Sequence, residues 1–98
     1  MIAEFLKTGK DNAVPSKVLA KKVGCGSVRD LRDLVAKERQ RGAVILSTSR
    51  NGGGYYLPAD AEEVREFVRT LDARARHTFL ALRSARKYLK EIENVDEN

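Results

Sequence analysis

Nine residues in the last third of the chain, Val64, Val68, Leu71, Ala75, Thr78, Leu82, Ala85, Leu89 and Ile92, follow one another at intervals of 4 and 3, a heptad seam over four repeats. That period belongs to a helix. Asp60 with Glu63 three residues on makes an acidic capping box, so the helix is expected to open there. About thirty helical residues cover some 45 Å, more than a domain of sixty residues can shield. Phe67, Phe79 and Tyr88 lie beside the seam and widen its apolar face. The first turns are expected to fold back on the domain, and the part beyond about Arg76 to stay exposed and self-associate. The interface residues would be Leu71, Ala75, Thr78, Leu82, Ala85, Leu89 and Ile92. Two alanines and a threonine weaken that seam, so a micromolar homodimer is expected rather than a tight one. Arg65 to Lys90 holds eight basic residues with only Glu66 and Asp72 against them, which favours antiparallel packing or a partner that brings acid. Residues 93–98 form an acidic tail that opposes the helix dipole and is expected to fray.

The rest of the chain must fold around this element. Its 98 residues, 42% apolar and 34% charged, suit one modest core and exclude an enzyme with a separate cofactor module. A single cysteine, Cys25, rules out an intrachain disulfide and points to a reducing compartment. The longest apolar runs, such as Ala43 to Leu46, are too short to span a bilayer, and Met1 to Leu6 lacks the features of a signal peptide. A cytoplasmic protein without a membrane partner is expected. The net charge of +5 is unevenly placed: residues 1–60 carry 11 Lys/Arg against 6 Asp/Glu, and residues 61–98 carry 8 against 8. The basic excess therefore belongs to the first part, where a polyanion would meet it.

Ile2, Phe5 and Leu6 give a short apolar helical face that stops at Gly9. Ser16 is expected to cap a second helix with the stripe Val18, Leu19 and Val23, ended by Gly24. Gly24-Cys25-Gly26 reads as a tight turn. Ser27 caps a third helix of about fourteen residues, running through Val28, Leu31, Leu34 and Val35 to Gly42, with Asp30 at the third position. After Gly42 the period changes. Ala43 to Leu46 is expected as a strand, Ser47 to Gly54 as a loop, and Tyr55 to Leu57 as the returning strand, closed by Pro58. The fold class is thus mainly α with a small β-hairpin and a long C-terminal helix, divided into residues 1–60, 61–92 and 93–98.

Helix, helix, tight turn, helix and hairpin is the order of a winged helix-turn-helix. Leu19-Ala20, Val23-Gly24, Ser27-Val28-Arg29, Leu31-Arg32, Leu34-Val35, Arg39, Gly42, Ile45 and Gly54-Tyr55-Tyr56-Leu57 resemble the pattern of biotin-repressor-type winged helices. They resemble more closely the small helix-turn-helix proteins of phages and mobile elements, over roughly residues 14–72. Glu38 departs from that pattern, which has Leu there. It falls on the core face with Leu31 and Val35, so either the helix end is unusually exposed or Glu38 pairs with a neighbouring Lys or Arg.

The resemblance implies DNA binding, and the residues argue it independently. At about 100° per residue, with Leu31 facing the core, Arg29, Arg32, Asp33, Ala36, Lys37 and Gln40 fall on the outer face of the third helix. Ser27, Arg29, Arg32, Asp33 and Ala36 would meet base edges in a major groove. Lys17, Lys21, Lys22, Lys37 and Arg50 would neutralise phosphates. Against this stands the plain alternative that Arg29/Asp33 and Asp33/Lys37 are solvated i, i+4 pairs worth a few tenths of a kcal/mol. The basic residues of two helices and the wing converge on one expected surface, which favours the interface.

Other chemistry is not indicated. Asn51-Gly52-Gly53-Gly54 lacks the Gly-Lys-Ser/Thr of a phosphate loop and leads into a strand. One Cys and one His cannot make a tetrahedral zinc site, and no nucleophile, base and orienter are grouped, so neither cofactor, metal nor catalysis is expected. Cys25 reads as a filler of the turn rather than a redox sensor, and His77 as an exposed residue. The expected role is a small regulatory or accessory protein that binds double-stranded DNA specifically, for example in transcription regulation. The alternative is an interaction module that docks on a replication or transcription protein through the long helix. RNA binding is disfavoured because Tyr55 and Tyr56 belong to a strand that must pack.

Overall fold

The computed structural model describes residues 1–97. It is mainly helical, with α1 at Ser16–Val23, α2 at Val28–Gln40, β1 at Leu46–Thr48, β2 at Gly54–Tyr56 and α3 at Ala61–Glu97. Two compact units divide the chain, Met1–Phe67 and the remainder from Val68 onward. The side chains beyond Glu93, where the frayed acidic tail was expected, lie outside the described residues, as does Asn98 altogether.

The first unit is built on an apolar cluster of Ile2, Val14, Leu19, Ala20, Leu31, Val35, Ile45 and Tyr55. Its two short helices are closed by left-handed glycines. Gly24, at φ 85°, turns α1 so that the Cys25 N–H reaches the Ala20 carbonyl at 2.8 Å and the Gly24 N–H reaches Lys21 at 3.2 Å. Those two bonds satisfy carbonyls the helix would otherwise leave open. Cys25 is half-buried against the cluster, which suits the space-filling reading. At the start of α2 the Ser27 hydroxyl accepts from the Asp30 N–H at 3.1 Å, as the sequence predicts.

Several expectations are corrected. The first segment is a 3-10 turn, Ile2–Phe5, and not an α-helix; four residues are too few to recover the nucleation cost of a longer one. Ile2 is buried, whereas Phe5 is exposed. Ser16 is the first residue of α1 and not its cap, because Pro15 holds the cap position and offers no side-chain acceptor. Val18 points to solvent. The first strand lies further along than expected: Ala43 and Val44 precede it, and Ser47 and Thr48 are in it. Leu46 pairs with Tyr56, Ser47 with Tyr55 and Thr48 with Gly54, which leaves the loop only residues 49–53.

The other edge of β2 explains this register. Val14 and Tyr55 exchange backbone hydrogen bonds at 2.8 and 3.0 Å, and Leu57 does the same with Lys7 and Gly9 at 2.8 Å each. β2 is therefore covered on both edges and buried along its length. Gly54 is required there: a Cβ at that position would stand 2.7 Å from the Val14 carbonyl oxygen.

α3 opens with the capping box the sequence predicts, in a modified form. The Asp60 carboxylate accepts from the Glu63 N–H, and Glu63 reaches back to the Ala59 N–H, both at 2.9 Å. The second oxygen of Glu63 accepts from the Lys10 N–H at 2.9 Å, and the Lys10 ammonium pairs with Glu66. The second unit is the remainder of the same helix. Within it Val68, Leu71, Phe79, Leu80, Leu82, Tyr88, Leu89 and Ile92 are all exposed. No helix among the described residues is long and apolar enough to cross a membrane.

Candidate nucleic-acid interface

The third-helix face that the wheel assigns to solvent is open in the structure. Leu31, Val35 and Glu38 are buried on one side of α2, while Arg29, Arg32, Asp33, Ala36, Lys37 and Gln40 are exposed on the other. Lys17, Lys21 and Lys22 are exposed on α1, which packs on α2 through the shared cluster and is joined to it by the turn at 24–27. Arg50 belongs to the hairpin loop, in a 3-10 turn at Arg50–Gly52 whose first N–H donates to the Thr48 hydroxyl at 3.1 Å. Ser27 is exposed, but its oxygen already serves as the acceptor that caps α2.

The charges on this face are not neutralised internally. The ion pairs of the described residues include Lys10 with Glu66, Arg65 with Glu62 and Arg76 with Asp72, whereas Arg29/Asp33 and Asp33/Lys37 do not close. Six cationic side chains on α1 and α2 therefore stand in water with Asp30 and Asp33 as the local acids. Such an arrangement attracts a polyanion and can meet it with guanidinium forks and ammonium groups.

Two residues near the end of α2 hold the face from behind. Glu38 is buried, and its carboxylate accepts from the Ile2 N–H at 3.0 and 3.2 Å. The sequence suggested exposure or a Lys or Arg partner; instead Glu38 is buried and a backbone donor 36 positions earlier satisfies it. Arg39 donates from Nε to the Ile45 carbonyl at 2.8 Å and lies 4.9 Å over the Phe67 ring. Burial pushes its guanidinium below its ordinary value, with Tyr55 acting in the opposite sense, and its Nη2 is buried without a partner. Sequence reasoning placed Arg39 only within the resemblance to winged helices and missed this clamp between α2, the residue before β1 and the first turns of α3. The phenol of Tyr56 is raised above its usual value, first by burial and then by Glu63.

Among the described residues no three His, Cys, Asp or Glu side chains converge as metal ligands would. Comparison with protein-family models, curated proteins and solved structures gives no significant match to this chain.

Proposed function

We propose that the first unit is a winged helix-turn-helix that binds double-stranded DNA, with α2 entering the major groove and residues 49–53 forming the wing. One observation carries this reading: Arg29, Arg32 and Lys37 on α2, with Lys17, Lys21 and Lys22 on α1, are exposed and free of internal ion pairs. Arg29 and Arg32 sit in the N-terminal half of α2, the part of a recognition helix that reaches base edges. Their forked donors match guanine O6 and N7. The lysines and Arg50 supply the phosphate contacts that fix the helix in the groove. A small regulatory or accessory protein needs no more than this.

The element order supports the reading, since two helices joined by a tight turn precede a short antiparallel hairpin. The test is a mobility-shift titration of the whole protein on mixed-sequence duplex DNA at several salt concentrations. Affinity should fall steeply and linearly on a log–log plot as salt rises. Absence of binding at low salt would sink the proposal and leave the docking-module reading, for which the uncovered apolar side chains of α3 speak.

A further inference from the structure

We infer that the second unit pairs with a second copy of itself as an antiparallel two-helix coil, with the two-fold axis between the Thr78 and Leu82 layers. The inference is independent of the DNA reading. Along α3 the seam residues are all exposed from Val68 onward, among them Val68 at 57%, Leu82 at 45% and Leu89 at 54%. A lone helix leaves this stripe in water, and its occupant is indicated by two patterns in the residues themselves.

The first is size. In the antiparallel register centred on residue 80, Val68 meets Ile92 of the second copy, Leu71 meets Leu89, Ala75 meets Ala85 and Thr78 meets Leu82. The seam thus reads nearly the same in both directions: β-branched opposite β-branched, leucine opposite leucine and alanine opposite alanine. Eight layers span about 36 Å of helix, and no layer joins threonine to threonine as a parallel pairing would.

The second is charge beside the seam. Asp72, Phe79 and Arg86 occupy the same heptad position in successive repeats, and the alternation extends in the sequence to Arg65 before them and Glu93 after them. Reversed about Phe79, this row of plus, minus, aromatic, plus, minus becomes its own complement. Asp72 of one copy lies beside Arg86 of the other, twice by symmetry, and the two Phe79 rings meet near the axis. In a parallel pair Asp72, Phe79, Arg86 and Glu93 would face Phe67, Arg74, Ala81 and Tyr88, and none of these four would meet an opposite charge. Asp72 now pairs with Arg76 on its own helix at 3.3 Å, an exposed contact that exchanges readily. Arg69, Arg76, Arg83 and Lys90 recur every seventh residue on the side away from the seam, where their mutual repulsion is screened by solvent.

The test uses the whole chain. Sedimentation should show a dimer at tens of micromolar. Asp72→Arg and Arg86→Asp should each weaken it by about five- to tenfold, and the double variant should recover the original affinity. With Cys25 changed to Ser, a spin label on Lys90→Cys should report a separation of about 30 Å or more between labels, twenty residues of helix rise apart. A monomer at these concentrations, a double variant no better than the singles, or a label separation of about 15 Å, the parallel value set by two adjacent helices, would each overturn the proposal.

Discussion

Arg29 and Arg32 differ from the other cations in where they stand on α2, and that difference is measurable. If they read bases, Arg29→Ala or Arg32→Ala should cost about 1–3 kcal/mol on a preferred site and little on random duplex, since only the base contact is lost. Equal losses on both would reassign them to phosphates. Competition titrations on the two DNAs decide it. These residues were legible because a helical wheel needs only a period and one core residue. Glu38 was not. The same wheel put it on the core face, but its partner is the Ile2 N–H, and a backbone donor leaves no mark in a side-chain pattern. Glu38→Ala should therefore destabilise the protein by about 1–3 kcal/mol in urea denaturation, because the Ile2 N–H is left buried without an acceptor. Glu38→Leu leaves the same donor orphaned and should recover only part of that loss.

Elements were read well where their ends carry a chemical signature, and poorly where a neighbouring strand fixes them. Gly24, Ser27 and Asp60 mark helix ends by backbone freedom or by a side-chain acceptor, and the structure uses all three. The hairpin moved along the chain because Val14, far away in sequence, fixes Tyr55, and the pairing of β1 follows from that. Local propensity cannot see a partner of this kind. The cap of α3 gives a graded prediction. Asp60→Ala removes one bond and should cost about 1 kcal/mol, whereas Glu63→Ala removes the acceptor for both Ala59 and Lys10 and should cost more, as thermal melts would show. Tyr56 adds a pH dependence. Its folded-state value lies above the 10.0 of a free phenol, so its contribution to stability is complete below that pH and is lost as pH climbs through the folded value. Urea midpoints of wild type should fall in that alkaline range, and Tyr56→Phe should flatten the fall.

At the scale of the molecule, the two units divide the work. Every buried side chain among the described residues lies between Ile2 and Tyr56, and the first turns of α3 add the Glu63 and Phe67 contacts, so the first unit's core needs nothing beyond Phe67. A chain ending at Asp72 should therefore keep a cooperative unfolding transition while losing nearly all of the seam. If the long helix supplies a two-fold, the full-length protein engages two half-sites and the shortened one engages a single half-site. Each phosphate contact contributes about 0.9 to the slope of log affinity against log salt on duplex DNA, so halving the contacts halves the slope. The shortened chain should thus bind a palindromic site with about half the salt slope of the full-length protein, and bind one isolated half-site as well as the full-length protein does. Equal slopes for the two chains would mean that only one basic face touches DNA even when α3 is present, and the dimer would then have no part in recognition.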